Sequence, residues 1–180
     1  MLPIVWLTLG IVWLALGVVV FVAGLRAATS ERARRIGRIA VGILYVGAGA
    51  VVNAALLATG QDYADFADGA YVSFVRDTWR SVVVPNQDVF ISLLVVFEAT
   101  VGVLVLSGGR RAQLGLLGAI AFHVALLSFG WGFYVWSIPM IAALVLLLRA
   151  ERRFHESPSE RPARPAETLR RLRTAGFGHG

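Results

Sequence analysis

Long uncharged stretches are the feature that most restricts how this chain can fold. Its 17 basic and 11 acidic residues leave 1–25, 39–61 and 112–148 without any charge, and they place only Glu98 within 89–109. A helix rises about 1.5 Å per residue, so roughly 20 mostly apolar residues cross a hydrocarbon layer about 30 Å thick. The sequence is 57% hydrophobic, against roughly 45–50% in soluble domains. These stretches exclude an ordinary soluble enzyme.

The number of spans depends on the run 112–148. It is too long for one crossing at ordinary tilt, and Gly130-Trp131-Gly132 interrupts it near its middle. We interpret it as two helices joined by a tight turn. With 2–25, 37–59 and 89–107, this predicts an all-α bundle of five transmembrane helices. The alternative is four spans, with 112–148 forming one tilted helix or a re-entrant piece.

Arginine alternates between the predicted loops and predicts their orientation. Loop 26–38 has five Arg against one Glu, loop 60–88 has two Arg against five Asp, loop 108–111 has two Arg, and the tail from Arg149 has eight. Cytoplasmic loops of membrane proteins collect Arg and Lys. Five spans therefore predict a multi-pass protein of the bacterial plasma membrane, with its N-terminus outside and its C-terminus in the cytoplasm. Four spans would place the Arg-rich tail outside, against this rule.

The first span is interpreted as a retained helix. Residues 1–25 lack the positively charged start of a signal peptide, and their apolar stretch exceeds the usual length of one. A seven-residue repeat places Gly10, Gly17 and Gly24 on one stripe of the helix. Small residues let another helix backbone approach closely, so the stripe predicts a packing face. The alternative is that glycine is simply frequent in transmembrane helices.

Aromatic residues mark the membrane interface on the outer side. In 62–81, apolar and aromatic residues recur at steps of three and four between polar ones, which predicts an external amphipathic helix whose aromatic face points to lipid or to the mouth of the bundle. An exposed helical hairpin packed on a partner is the alternative. The proposed interfacial side chains are Phe66, Tyr71, Phe74 and Trp79. A second group, Trp131, Tyr134 and Trp136, is interpreted as an outer aromatic belt.

Composition divides the chain into three parts. Residues 1–34 comprise the N-terminal helix and its loop, and 35–150 comprise a four-helix membrane domain. Residues 151–180, rich in Arg, Pro, Glu and Ser, are too polar to bury a core and are predicted to form a disordered cytoplasmic tail. The basic residues lie where membrane topology requires them, which favours membrane lipids as partners and not nucleic acid.

Asn53, Glu98 and His123 are the candidate site residues inside the predicted spans. An ionisable group in hydrocarbon costs at least about 2.5–3.5 kcal/mol, so Glu98 and His123 need an explanation. Counted from the outer ends of their helices, Glu98 lies about 15 Å deep, and His123 and Asn53 about 10 Å deep. All three therefore belong to the outer half of the membrane and can meet if their helices are neighbours.

Two interpretations of these residues remain open. In one, they form a pocket in which Glu98 and His123 share a proton or bind a ligand headgroup such as that of a quinone. In the other, they form a buried clamp that fixes the register of the helices. Of the three His, only His123 lies in a span, and the chain has no Cys. Bis-His haem ligation within the bilayer, thiolate chemistry and Fe–S clusters are therefore excluded within one chain, and no metal site or catalytic motif is predicted.

Residues 35–149 combine a first helix that enters through Arg38 and contains Gly42 and Gly47, a polar external segment, Glu98 followed by Gly102, the basic turn Gly108-Gly109-Arg110-Arg111 and a hairpin rich in small residues. In this pattern they resemble the DoxX-like family of small bacterial membrane proteins. The resemblance implies a four-helix membrane subunit associated with respiratory or oxidative-stress redox systems, including a quinol oxidase subunit in some members. The first helix and the Arg/Pro tail depart from that compact pattern.

The leading hypothesis for function is an integral membrane accessory or binding subunit that takes a quinone or lipid ligand. Its expected partners are lipids, subunits of a redox complex or further copies of itself, and no cofactor is predicted within the chain. The alternative is a small transporter or proton-linked permease that uses Glu98 and His123. A membrane enzyme is the third hypothesis, because no self-contained catalytic motif accompanies the polar residues.

Overall fold

Five long helices make up the fold. The structure is a computed structural model that describes residues 2–156, with side chains from Leu7 to Phe154. All five helices are long and apolar enough to cross a membrane, and no β-strand occurs between Leu2 and Glu156. The prediction of an all-α, multi-pass bundle is therefore confirmed. The helices are α1 (Leu2–Arg26), α2 (Glu31–Ala58), α3 (Ser73–Ser107), α4 (Gly109–Phe129) and α5 (Trp131–Glu156).

The run 112–148 forms parts of two helices, as predicted. The break is at Gly130, whose φ is +114°, a backbone conformation that side-chain-bearing residues rarely adopt. The same glycine packs against the Gly69 carbonyl group of the 59–72 loop so closely that a Cβ atom on residue 130 would overlap it. Both the turn and the close approach therefore require glycine here.

The helices are arranged as a ring in chain order. Each packs against the next, and α1 closes the ring by packing against α5. From the sequence, α1 is predicted to be an addition to a four-helix core, whereas in the structure it is one wall of the bundle. Two of its three stripe glycines explain the close fit: Gly17 lies under the Trp136 ring, and a Cβ at Gly24 would be 2.9 Å from the Ala143 carbonyl oxygen. No described atom lies within 4 Å of such a Cβ at Gly10.

A fully buried apolar layer crosses the middle of the bundle. Its members come from four helices and are Val41, Val105, Leu116, Leu144 and Leu147. On one side of the layer the bundle ends in the 59–72 loop, which we call the loop end. On the other side α2 begins and α5 ends, and this we call the arginine end because Arg34 and Arg38 lie there.

The external segment differs from the single helix predicted over 62–81. It consists of a short 3₁₀ turn at Ala64–Ala67, a bend, and the first turns of α3 from Ser73. The bend lets Gly69 lie against the α4–α5 turn, where a Cβ would be 3.3 Å from the Phe129 carbonyl oxygen. A continuous helix could not make that contact.

At the arginine end, α5 extends past residue 151, where the polar tail is predicted to begin. Helix α5 continues to Glu156, because Glu151 is buried and forms ion pairs with Arg34 and Arg38 of α2. Composition alone places this part of the helix in the tail. The rest of the predicted disordered segment, residues 157–180, lies outside the described residues.

Candidate functional site

A cavity of about 360 Å³ lies between the apolar layer and the loop end. All five helices and the 59–72 loop contribute to its wall, and half of the residues that line it are aromatic. We call it the central cavity. Its size falls at the lower end of the range of about 300–1,000 Å³ that is typical of small-molecule sites, and its mostly apolar wall with a few polar groups is also typical of them.

Glu98 and Asn53 form one polar part of the wall. The Asn53 side-chain amide donates a hydrogen bond to Glu98 Oε2 at 2.9 Å and so joins α2 to α3. Glu98 is only 5% exposed. Its carboxyl group lies directly on the backbone of Gly49, where a Cβ atom would be 2.8 Å from Oε1. Any residue larger than glycine at position 49 would displace the Glu98 carboxyl group.

The helix that carries Gly49 and Asn53 is irregular at this depth. Residues Leu44–Val51 of α2 form a π-helical segment between two α-helical ones. The wider π turn inserts extra backbone into the helix, and such segments are frequent at functional sites. Here the segment supplies Tyr45, Ala48 and Gly49 to the central cavity. The irregularity therefore lies at the cavity wall, and both neighbouring helical segments are regular.

His123 forms a second polar part of the wall, on α4. It is 3% exposed, and its Nδ1 lies 3.3 Å from Ser137 Oγ on α5. The ring of Tyr45 packs edge-on against it, and the Tyr45 hydroxyl donates to the Ala119 carbonyl oxygen at 3.2 Å. Glu98 and His123 thus face one cavity with different partners, and no direct hydrogen bond joins them.

Two buried donors at the cavity wall have no hydrogen-bond partner among the described residues. They are the Tyr63 hydroxyl and the Trp136 indole nitrogen. Burial, and secondly the nearby Glu98 carboxyl group, raise the pKa of Tyr63, so its hydroxyl stays protonated at neutral pH. Buried donors without partners are costly. A ligand acceptor or a water molecule in the cavity would satisfy them.

An aromatic cluster lines the cavity at the loop end. Phe66 stacks on Trp79 with ring centroids 5.0 Å apart, and it also contacts Phe129 and Phe133. We call these four residues the aromatic lid. The Trp79 indole donates to the Tyr63 carbonyl oxygen at 2.8 Å, which fixes the 59–72 loop to α3. The lid is therefore held by ring packing and one side-chain hydrogen bond.

The structure brings together the three residues predicted from the polar pattern, because Asn53, Glu98 and His123 all line the central cavity. The interfacial residues separate into two pairs. Phe66 and Trp79 belong to the lid, whereas Tyr71 and Phe74 do not line the cavity and have 65% and 74% of their surface exposed.

Several cavity residues are not apparent from the sequence. Trp13 and Trp136 stack with centroids 3.6 Å apart and line the cavity, so the placement of Trp136 in an outer belt is wrong. Trp131, 70% exposed, is consistent with that belt. Tyr63 of the cavity wall and Ser137, the buried partner of His123, also escape notice, because neither hydropathy nor charge distinguishes them from loop and helix residues. For Trp13 the sequence does give a signal, because Trp6 and Trp13 occupy equivalent positions of the seven-residue repeat. That spacing indicates a shared helix face and does not indicate a binding site.

No group of three or more His, Cys, Asp or Glu side chains is positioned to hold a metal ion within the described part of the chain. Searches against family models, curated proteins and solved structures found no match to this chain. The function therefore has to be argued from the geometry of the central cavity.

Proposed function

We propose that this protein is an integral membrane binding subunit that holds an amphipathic ligand, a quinone or a lipid, in the central cavity. The observation that carries the proposal is the cavity itself: an aromatic, mostly apolar space with a carboxyl, an amide, an imidazole and a phenol on its wall. An aromatic headgroup packs between ring side chains. Its oxygens would accept hydrogen bonds from Tyr63 and Trp136, the two donors that lack partners.

The apolar layer supports a binding role over a channel role. Its five residues lie between the cavity and the arginine end on α2, α3, α4 and α5, and each is 0% exposed. A ligand held at Glu98 would be separated from that side by packed side chains.

The wider biological setting belongs to the same proposal. The DoxX-like resemblance of 35–149 and the arginine pattern support a subunit of the bacterial plasma membrane, with the loop end outside and the arginine end in the cytoplasm. They also support association with a respiratory or oxidative-stress redox complex. In that setting electrons would come from a partner, and this chain would bind and position the ligand.

Transport is the second candidate, and one observation favours it. Two buried ionisable residues, Glu98 and His123, face the same cavity from different helices, and such residues commonly form proton or substrate pathways in membrane proteins. This function would require the apolar layer to open. Ligand-driven proton uptake by proteoliposomes that contain the purified protein would support it over static binding.

Intrinsic fluorescence tests the binding proposal. Three of the five Trp residues line the cavity, namely Trp13, Trp79 and Trp136, and quinones quench indole fluorescence at contact distance. Titration of the delipidated protein in nanodiscs with a short-chain quinone should give saturable quenching. Ala48→Phe, which fills the cavity from α2, should remove it. Extraction of copurified material from native membranes would show whether quinone or lipid is the resident molecule.

A matched pair of variants locates the quenching. Trp136→Phe removes a cavity indole, and Trp131→Phe removes one that is 70% exposed at the surface. We expect the first to lower the amplitude of the saturable phase and the second to leave it unchanged. Equal losses, or quenching that persists in Ala48→Phe, would show that the quinone only partitions into the surrounding lipid and would refute the proposal.

A further inference from the structure

Two arginines of α2 converge on one carboxylate at the arginine end. Arg34 and Arg38 are one helical turn apart, and both face Glu151 of α5. Arg34 Nε lies 3.5 Å and Arg38 Nη1 lies 3.4 Å from the same oxygen, Glu151 Oε1. The Arg34 side chain is 12% exposed, the Arg38 side chain 22% and the Glu151 side chain 3%. We call these three residues the arginine cluster.

The cluster has an excess of positive charge and of donors. Two guanidinium groups face a single carboxylate, which leaves one positive charge without a counter-charge inside the cluster. Both distances exceed the usual 2.7–3.2 Å of an N–H···O hydrogen bond. Arg34 Nη1 and Arg38 Nε are buried and have no hydrogen-bond partner among the described residues, and the same holds for Glu151 Oε1. Glu31 is 83% exposed and 3.9 Å from Arg34, a surface pair that contributes little.

Both guanidinium groups are held in place by neighbours that leave these donors unused. The Arg34 guanidinium lies over the Phe154 ring at 3.5 Å from its centroid. Arg38 packs against Gly108, where a Cβ atom would be 2.9 Å from Nη1. Positioned guanidinium groups with spare N–H donors match the oxygens of a phosphate group, which they bind in a bidentate manner.

We propose that the arginine cluster binds a phosphate group, which the headgroup of a phospholipid or free phosphate supplies. The site is separate from the central cavity, because the apolar layer lies between them. The exposed Arg110 and Arg111 in the first turn of α4 lie at the same end of the bundle and add positive potential around it. Bound phosphate would supply the missing counter-charge and accept hydrogen bonds from Arg34 Nη1 and Arg38 Nε.

The competing explanation is a purely structural ion-pair lock between α2 and α5. The two explanations make opposite predictions for Glu151→Gln. A phosphate site loses a repelling carboxylate, so its affinity for phosphate should rise. A lock loses its central anion, so the protein should lose stability without any gain in phosphate affinity.

The experiment uses the full chain, delipidated in a detergent without phosphate groups. Three conditions are compared: detergent alone, detergent with phosphatidic acid, and detergent with added inorganic phosphate. The readouts are the midpoint of thermal unfolding and the lipid retained in native mass spectrometry. Stabilisation by phosphatidic acid alone identifies a headgroup, stabilisation by inorganic phosphate identifies free phosphate, and either result supports the site. No response to either phosphate source would overturn it.

Matched variants distinguish phosphate binding at the arginine cluster from nonspecific attraction to positive charge. Arg38→Gln should weaken phosphate binding about tenfold, the expected effect of a lost charged hydrogen bond. Arg35→Gln removes the same charge from an exposed position on the same helix and should leave binding unchanged. Equal losses in the two variants would indicate nonspecific adsorption, and lower stability of Glu151→Gln without a gain in phosphate affinity would indicate the lock. If Arg38→Gln does not accumulate, Arg38→Lys and the Glu151→Gln titration decide the question.

Discussion

The Asn53 side-chain amide on α2 and the Glu98 carboxyl group on α3 share a 2.9 Å hydrogen bond at the wall of the central cavity. The bond explains how a carboxyl group that is 5% exposed is tolerated inside an apolar bundle. It does not use the full hydrogen-bonding capacity of the carboxyl group, which has two oxygens. Glu98 therefore has a structural partner and can still contact a ligand.

Glu98→Gln separates these two roles. Glutamine keeps an oxygen that can accept from Asn53 but loses the charge and the titratable proton. We expect the variant to fold and accumulate normally but to lose quinone retention, whereas Glu98→Ala should also lower stability by about 1–3 kcal/mol because the Asn53 amide is left unpaired. Detergent-extracted yield, thermal unfolding and quinone retention are the measurements. His123→Ala should reproduce the loss of retention, and normal retention in Glu98→Gln would leave only the clamp interpretation.

Gly49→Ala tests whether quinone binding depends on the position of the Glu98 carboxyl group. The added methyl group would be 2.8 Å from Glu98 Oε1, so the carboxyl group has to move out of its contact with α2. Gly47→Ala is the control, because its methyl group would be 4.0 Å from the nearest neighbour, Ile43 Cγ2. Both changes raise helix propensity by up to about 1 kcal/mol. We expect quinone affinity to fall only in Gly49→Ala, and equal affinities in the two variants would count against this geometry.

The sequence predicts the helices well because each lipid-spanning run has to be apolar throughout. The same reasoning gives the depths of Asn53, Glu98 and His123, since rise per residue is fixed and all three come to one cavity. Their partners cannot be predicted in this way. The pairing of His123 with Ser137 depends on the rotation of α4 against α5, and hydropathy carries no information about rotation in a helix that is apolar on every side.

The 62–81 segment shows a second limit of prediction from the sequence. Three- and four-residue spacing in 62–81 indicates a helix, but the segment has to bend so that Gly69 meets the α4–α5 turn. That contact joins parts of the chain that are far apart in sequence, and local periodicity does not encode it. Likewise, composition places Glu151 in the polar tail, and its pairing with Arg34 and Arg38 is a long-range contact that composition does not encode.

Helix α1 should be required for the stability of the whole bundle. Gly24→Val introduces side-chain atoms where the Ala143 backbone lies within 2.9–3.3 Å of the Cβ position. We expect a loss of about 1–3 kcal/mol from overpacking, measured as a lower unfolding midpoint in detergent. Gly10→Val, on the same stripe but with no described atom within 4 Å, should leave the midpoint nearly unchanged. Equal midpoints would show that α1 packs loosely and that the ring is not closed.

The exposed aromatic residues of the outer segment should contact lipid. Phe74 is 74% exposed although it is strongly apolar, and Asp77 lies three residues further along the same helix. Spin labels at these two positions, in reconstituted protein, should differ in their access to a water-soluble relaxing agent. We expect Phe74→Cys to be shielded and Asp77→Cys to be accessible. Equal accessibility would contradict an interfacial position for this helix.

The orientation in the membrane can be measured with single cysteines, because the native chain has none. Ser73→Cys lies at the loop end and Ala28→Cys in the α1–α2 loop, and both positions are exposed. Five spans and the arginine pattern place them on opposite sides of the membrane. In intact cells an impermeant maleimide should label Ser73→Cys only, and permeabilised cells should show both. Ser159→Cys, in the tail, should behave like Ala28→Cys. Labelling of Ser159→Cys and Ser73→Cys from the same side would require an even number of crossings between them and would exclude the orientation on which the outer placement of the central cavity depends.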